Sequence, residues 1–312
     1  MAASKGFEAQ SEALDALRHL TPEAAEPGLR KALGQRNNFL VAKAARLTAL
    51  QNLRSLSGAL AEAFHRFLQD AAKSDPQCWA KNDIAKTLAE FEFQDAELFL
   101  AGMRHIQLEP TWGGPSDTAG ALRGTCALAL VQCREVRSHQ LLLWFTELIA
   151  DKVLTVRVNA ARAIEQVGSD SAALLLRLRA ELASDEPELL GACYSGVLRL
   201  EGPQAIPWAA RFLALGDDAS AEAAIAIAET RTPEAFAILR ATFDKTARTN
   251  QWFRSALLSA IALTRQPEAA PFLLDLIDRS PHDRQDAVEA LCRSNPNRET
   301  VEELTKRGHR CP

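Results

Sequence analysis

The sequence contains no apolar run long enough to cross a membrane as a helix, which takes about 18 residues or more. Its apolar runs are short: residues 141–145, for example, are followed at once by Thr146 and Glu147. The first residues, 1–8, reach a charge at Lys5 and hold no apolar segment of the kind that signal peptides need. We therefore expect a protein of the cytoplasm that has no membrane partner.

Catalytic motifs are also lacking. The sequence has no G-x-S-x-G nucleophile elbow, no G-x-G-x-x-G dinucleotide loop and no Gly-Lys-Ser/Thr phosphate loop. The Gly-Gly-Pro stretch at 113–115 has no lysine after it, so it lacks the cation that a phosphate loop uses. The histidines never occur next to a glutamate as His-Glu, nor four residues apart. We expect no catalytic residue, no cofactor and no metal site.

The cysteines show no C-x-x-C spacing and no histidine at the spacing of a metal ligand. Cysteines without such a partner are most often small, buried, apolar residues. We predict that all of them are reduced and that Cys311 lies on a loose C-terminal tail. They stand at positions 78, 126, 133, 193, 292 and 311.

The charge balance is nearly even, because 36 Lys and Arg residues face 40 Asp and Glu residues for a net charge of −4. Proteins dedicated to nucleic acid usually carry an excess of basic residues along one face. The composition therefore argues against a nucleic-acid partner. An apolar content of 47% also excludes a disordered chain.

An internal repeat of about 30 to 40 residues is the clearest pattern in the sequence. Each unit has an Ala-rich helix with apolar periodicity, a short polar turn, and an alanine that opens a second helix. That alanine recurs in steps of 33, 30 and 34 residues, at positions 172, 205, 235 and 269. The alternation typical of strands never extends beyond a few residues. The repeat predicts an all-α chain of about nine helix pairs, with continuous helices over 58–73 and 203–215.

A second marker has the same phase: an Asp or Asn stands six residues before a Lys or Arg at the start of several units. The acidic or amide group lies in the turn and the cation lies one turn into the helix, so the two can reach each other. We expect these residues to form a ladder that ties one unit to the next. The pairs are Asn37/Lys43, Asp75/Lys81, Asp117/Arg123, Asp151/Arg157 and Asp278/Arg284.

The clearest unit reads Asp151-Lys-Val-Leu-Thr-Val-Arg-Val-Asn-Ala-Ala-Arg-Ala-Ile-Glu-Gln-Val-Gly168. It resembles the HEAT-repeat family, in the short bacterial form also found in phycobilisome lyase-like proteins, and the likeness extends over about residues 36–308. The resemblance implies a right-handed α-solenoid of stacked antiparallel helix pairs, in which each pair buries its apolar face only against its neighbours. We expect one solenoid domain over 1–312. Its parts are a cap pair over 1–35, repeats over 36–281, and a C-terminal cap and tail over 282–312.

One unit, from Asp75 to Asp117, is longer than the others, and its excess is a loop insertion at 105–117 that contains two prolines, two glycines and Trp112. Insertions in repeat arrays form loops on one face, which is often the binding face. Two interpretations follow. Trp112 either contacts a partner or, as we favour, packs back over the helices.

The helix after the insertion is more apolar than a surface helix should be. Leu143 and Trp144 fall outside its inward stripe, on the side that is normally polar. Either the insertion covers them, which we favour, or they form an exposed patch for a partner. Trp208 and Phe212 widen the apolar face of a later helix, although packing between helices explains most of that. The candidate partner-binding residues are therefore Trp112, Leu143, Trp144, Trp208 and Phe212.

These patterns favour a non-catalytic scaffold or adaptor that binds a protein or peptide, along the face of the second helices. Solenoids bind by offering a long surface that needs little ordering. The alternative is an enzyme that is similar to the HEAT-like DNA glycosylases or bilin lyases, and that uses the tryptophans of a concave face. No residue of either enzyme class can be matched here, and a glycosylase would need a basic groove.

Overall fold

The computed structural model describes residues 2–182 and 184–311, and most of these residues are helical. The expectation of a predominantly helical chain is confirmed. Within the described residues, no helix is both long and apolar enough to span a membrane. By its internal contacts the chain divides into two compact units, residues 1–167 and residues 168–312.

The first unit contains ten α-helices within its described residues, and two 3₁₀ turns, Arg54–Leu56 and Pro76–Cys78. The α-helices are α1 (Ala2–Leu17), α2 (Pro22–Leu33), α3 (Asn38–Leu50), α4 (Ser57–Leu68), α5 (Ala71–Ser74), α6 (Trp79–Glu90), α7 (Ala96–Met103), α8 (Gly120–Val131), α9 (Ser138–Leu148) and α10 (Leu154–Val167).

The second unit contains nine α-helices within its described residues, and two 3₁₀ turns, Pro203–Ala205 and Arg211–Leu213. The α-helices are α11 (Asp170–Glu181), α12 (Pro187–Glu201), α13 (Ile206–Ala210), α14 (Asp218–Glu229), α15 (Pro233–Lys245), α16 (Gln251–Leu263), α17 (Ala269–Arg279), α18 (Arg284–Arg293) and α19 (Arg298–Lys306).

Within each unit, four helices from successive repeats contact one another in a row. In the first unit α3, α6, α8 and α10 pack side by side in sequence, and in the second unit α12, α14, α16 and α18 do the same. We call each of these rows a first-helix layer. Further helices pack against these rows as a second-helix layer, formed by α4, α7 and α9 in one unit and by α11, α13, α15 and α17 in the other.

Small residues explain why these helices lie so close. Alanines of the first helices, such as Ala160, Ala161 and Ala224, are fully buried. Gly102 on α7 is an extreme case, because a Cβ atom there would lie 2.5 Å from Sγ of Cys126 and 3.0 Å from the ring of Phe64. The Ala-rich periodicity of the sequence thus encodes close helix packing in addition to helix propensity.

Two predicted helices are interrupted. The helix expected over 58–73 stops at Leu68, because Gln69 is extended (ψ 128°), and Asp70 then adopts the left-handed conformation (φ 51°) before the short helix α5. The helix expected over 203–215 is also broken, since α13 covers only Ile206–Ala210 and a 3₁₀ turn follows it. Asp is one of the few side chains that tolerate the left-handed region, so such a break leaves little trace in the apolar periodicity.

The insertion at 105–117, which we expected as a loop, contains a short β-hairpin. Strands β1 (Leu108–Thr111) and β2 (Gly114–Asp117) pair antiparallel, with Leu108 opposite Asp117 and Thr111 opposite Gly114. Gly114 has a φ of +114°, which L side chains rarely adopt, and it closes a two-residue turn. Two prolines in such short strands hide the usual strand signal.

The cysteine prediction is wrong at the C-terminus, since Cys292 on α18 and Cys311 form a disulfide bond. The tail is therefore tied to α18 and is not loose. The other four cysteines are buried thiols. Burial raises the pKa of Cys78 and Cys133 to about 11, that of Cys193 to about 12, and that of Cys126 further still, so none of these thiols is a ready nucleophile at neutral pH.

We expect reduction of this disulfide to loosen α19. Only Thr300 and Leu304 of that helix are buried, and the bond closes a loop with a sequence separation of 19 residues. A loop of that size contributes about 3 kcal/mol through chain entropy. Hydrogen exchange of the amides in 298–306 should therefore accelerate by about two orders of magnitude on reduction, while exchange in α12 and α14 stays unchanged. Equal exchange rates in both redox states would contradict this.

Candidate functional site

The insertion hairpin is fixed at its base by one carboxylate. Oε1 of Glu109 accepts hydrogen bonds from the backbone N–H of Gln77 at 2.7 Å, from Nε2 of Gln107 at 2.6 Å and from Oγ1 of Thr118 at 2.7 Å. Partial burial acts to raise the pKa of Glu109, but these bonds and the charge of Lys81 outweigh it, and the pKa lies below its usual range. Glu109 thus remains an anion that holds the hairpin.

Further bonds tie the hairpin to the helices on both sides. Nε2 of the buried Gln107 donates to the backbone carbonyl of Asp75 at 2.9 Å, just before α6. At the other end, Asp117 accepts from the backbone N–H of Gln107 at 3.1 Å and lies 2.6 Å from the guanidinium of Arg123 on α8. The hairpin therefore has a fixed direction relative to α6 and α8.

Trp112 occupies the tip of this hairpin and is fully exposed. The interpretation that Trp112 packs back over the helices is therefore wrong. Ile106 and Leu108, at the start of the insertion, are also exposed. A partly buried polar network thus holds in place a segment whose largest side chain is fully exposed to solvent. Exposed tryptophans on rigid supports are the residue type that dominates binding energy at protein interfaces.

Helix α9 places Leu143 and Trp144 as the sequence suggests, outside a stripe of buried residues that includes Leu142 and Phe145. Leu143 is 47% exposed. Trp144 is partly buried, and it lines a shallow depression with the segment just before the helix. That depression contains Glu135, Val136, Arg137, His139, Gln140 and Trp144, and none of these belongs to the insertion.

Trp208 and Phe212 lie in an aromatic cluster of the second unit. Their ring centroids are 5.3 Å apart, and the ring of Phe212 lies 4.7 Å from that of the buried Tyr194. The guanidinium of Arg177 stands 4.4 Å over the indole of Trp208, whose Nε1 donates to Glu181 at 2.8 Å. Both candidate side chains are therefore engaged in intramolecular contacts on the second-helix layer.

An exposed leucine stripe on α11 escaped the sequence reasoning. Leu174, Leu178 and Leu182 are 69%, 59% and 58% exposed. Their spacing of four residues places them on one side of the helix and its C-terminal end. That spacing was visible in the sequence, but it resembles the inward stripe of any repeat helix, so only the structure shows that it faces solvent.

Part of the predicted ladder forms in the first unit. Nζ of Lys81 lies 3.0 Å from Asp75, and both side chains are fully buried. Arg123 binds Asp117 of its own repeat at 2.6 Å and Asp151 of the following repeat at 3.0 Å. Arg157 donates to the backbone carbonyl of Asp151 at 2.8 Å. The link from Asp117 through Arg123 to Asp151 is the contact between neighbouring repeats that the spacing predicts.

Near the C-terminus, the six-residue spacing predicted the wrong ion pair. Asp278 binds Arg307 at 3.1 Å, whereas Nε of Arg284 donates to the carbonyl of Ile277, so the predicted Asp278–Arg284 pair does not form. The cation of the ladder in this region is Arg254, which holds Asp283 with two bonds of 2.9 Å. A residue spacing cannot tell Asp278 from Asp283, because the length of the intervening turn decides which carboxylate reaches the guanidinium.

Lys43 departs from the predicted pattern in a similar way. Its ammonium lies 2.7 Å from Asp15 on α1, and it donates to the hydroxyl of Ser11 at 2.8 Å. Asn37 instead caps α3 by accepting from the backbone N–H of Leu40. The amide at this ladder position therefore caps its own helix, and the cation ties α3 to α1.

The tryptophans that motivated the enzyme alternative lie on different parts of the chain. Trp79 and Trp252 belong to first-helix layers of different units, Trp144 and Trp208 belong to second-helix layers, and Trp112 stands on the hairpin. Among the residues described, no group of three or more His, Cys, Asp or Glu side chains could hold a metal ion. Comparison with protein-family models and with curated proteins found no match.

Proposed function

We propose that this protein is a non-catalytic scaffold or adaptor that binds a protein partner, and that Trp112 is its principal anchor residue. The fully exposed indole at the tip of an anchored hairpin is the observation that supports this proposal. Burying a tryptophan removes about 150 to 250 Å² from water. Because the hairpin is already ordered by Glu109 and Gln107, binding would lose little conformational entropy in this segment.

The architecture that we propose for this scaffold is a HEAT-type, right-handed α-solenoid of about nine helix pairs. The consecutive packing of first helices within each compact unit supports this architecture, as do the ion pairs of Arg123 with Asp117 and Asp151, which link two successive repeats. We propose the cytoplasm as its site of action. Disulfides rarely persist there, so thiol labelling of Cys292 and Cys311 in intact cells tests this location.

The proposed role of Trp112 is tested by affinity capture from native lysate with the wild-type chain and a Trp112→Ser variant. We expect the variant to keep its helical circular dichroism, because Trp112 is fully exposed, and to lose the captured partner. Truncating a hot-spot residue costs about 2 kcal/mol or more, which corresponds to about a 30-fold weaker affinity.

The matched control is Trp252→Ser, which removes a tryptophan that is 52% exposed on α16. This control variant should retain the partner that Trp112→Ser loses. Equal capture by wild type and by Trp112→Ser would show that the hairpin is not the anchor. Turnover of a substrate by the purified chain alone would contradict the proposal of a scaffold.

A further inference from the structure

The exposed side of the first-helix layer in the first unit carries a slot that no function described above uses. We call this side, formed by α3, α6, α8 and α10, the unit-one face. The slot has a volume of about 340 Å³. Its residues recur at helical spacing on the facing sides of α3 and α6, and they are Phe39, Ala42, Arg46, Trp79, Asn82, Asp83 and Lys86.

One wall of the slot is aromatic. The ring of Phe39 lies edge-on to the indole of Trp79, with the centroids 6.0 Å apart, and the ring of Phe7 packs against Phe39 at 5.5 Å. Trp79 nevertheless remains 48% exposed. A bulky apolar side chain could therefore add to this cluster and cover the exposed part of the indole.

Asn82 lies on the slot with unused hydrogen-bonding capacity. Its Oδ1 is buried from solvent and has no hydrogen-bond partner among the described residues, and its amide nitrogen donates to none of them. A buried acceptor without a donor is unfavourable, so a ligand that brings an N–H group would gain from it. An asparagine amide can donate and accept at once, which matches the C=O and N–H of an extended peptide backbone.

A second asparagine occupies the same face two helices further on. Asn159 of α10 lies over α8 at Gly124, where a Cβ atom would come within 2.3 Å of its Nδ2. Within the described residues, its side-chain amide makes no hydrogen bond. Two steps of about 8 to 10 Å separate α6 from α10, which about five or six residues of extended chain would span. One extended segment could therefore reach both Asn82 and Asn159.

The charges of this face favour an acidic segment. Arg46 is paired with Asp83 at 2.6 Å, whereas Lys86 and Arg162 form no ion pair with any described residue. Both are exposed, on α6 and α10 respectively. Lys86 and Arg162 attract carboxylates at two points, while the carboxylates of Asp83 and of the exposed Glu90, one turn beyond Lys86, would repel the continuous phosphates of a nucleic acid.

We propose that the unit-one face binds an extended peptide segment with a bulky apolar residue flanked by acidic residues. The apolar side chain covers Trp79 in the slot, Asn82 and Asn159 hold the backbone, and Lys86 and Arg162 select the carboxylates. This inference rests on the proposed scaffold function and names the chemistry of a second contact, separate from the Trp112 anchor.

The test uses the full chain and synthetic peptides of about ten residues with a central phenylalanine, in an acidic series flanked by Asp and Glu and a basic series flanked by Lys. We expect fluorescence anisotropy to show binding of the acidic series alone. Asn82→Ala should weaken that binding by at least about tenfold, and Asn159→Ala should weaken it similarly. The control Gln285→Ala removes an exposed amide from α18 of the other unit and should change nothing.

Charge reversal tests whether the two cations select the peptide, because a purely structural role would not change the preference between acidic and basic peptides. The double variant Lys86→Glu/Arg162→Glu should bind the basic series in preference to the acidic one. Absence of peptide binding, equal binding by Asn82→Ala, or tighter binding of a single-stranded oligonucleotide of similar length would overturn the inference. Trp112→Ser should bind the peptides as wild type does. If partner capture depends on Trp112 but no peptide binds, the scaffold proposal stands and only the peptide site on the unit-one face is contradicted.

Discussion

Replacing Asp75 by alanine is expected to lower the free energy of unfolding of the first unit by about 3 to 5 kcal/mol. Asp75 accepts from the backbone N–H groups of Ala80 and Lys81 at 2.9 and 3.0 Å, from Nδ2 of Asn38 at 2.9 Å, and from Nζ of Lys81 at 3.0 Å. Its loss would leave the fully buried ammonium of Lys81 with only the carbonyl of Phe67 as a partner.

Urea denaturation followed by circular dichroism measures this effect. The matched control is Lys73→Ala, because Lys73 and Asp70 form a weak, exposed pair at 4.0 Å on a neighbouring turn. Such exposed pairs contribute about 0 to 1 kcal/mol, so the control should unfold close to wild type. A loss below about 1 kcal/mol for Asp75→Ala would mean that the pair is not the hub that its contacts describe.

Replacing Arg254 by alanine is expected to cost the second unit a similar amount, about 3 to 5 kcal/mol. The guanidinium holds Asp283 with two bonds, donates to the carbonyls of Phe243 and Thr246 at 3.1 and 2.8 Å, and stands 4.0 Å over the ring of Phe243. One side chain thus joins α15, α16 and the start of α18. Arg279→Ala, which breaks an exposed pair with Asp275, is the control and should cost less than about 1 kcal/mol.

The same pair predicts how stability depends on acid. Burial acts to raise the pKa of Asp283, but hydrogen bonds from Arg254 and Ser280 and the charge of Arg254 outweigh it, so the pKa is lowered in the folded state. A lowered carboxyl pKa gives stability that is fully present above pH of about 4 and is lost as the pH falls through the folded value. Arg254→Ala should therefore show a flatter acid dependence than wild type in denaturation at several pH values.

Much of the helical fold could be predicted from the sequence, because alanine at regular spacing both favours helices and permits their close approach. The alanines at 172, 205, 235 and 269 are set by that requirement, and all four are buried. Breaks such as the one at Asp70 could not be predicted in the same way. They depend on one residue's backbone conformation, which costs little and leaves the apolar pattern unchanged.

The sequence predicted where the candidate site lies, but it did not predict the hairpin or the hydrogen bonds that hold it. The excess length of one unit and its Trp112 mark the insertion, yet the polar network of Gln107 and Glu109 joins residues that are adjacent only once the hairpin exists. The sequence did not reveal the slot at Trp79 and Asn82, because its residues come from two different helices. Residues that meet across the slot are far apart in sequence, as Arg46 and Asp83 are at a separation of 37. Spacing within one helix carries no information about such pairs.

The bond between Cys292 and Cys311 also changes the connectivity of the chain. It encloses Arg298–Lys306, so a protease that cuts once within this covalent ring cannot liberate a fragment. The nicked protein would remain one molecule of unchanged mass apart from one added water, and would separate into two pieces only in a reducing gel. Tags joined after residue 312 would likewise stay attached to α18 after such a cut, so their retention does not report an intact C-terminus.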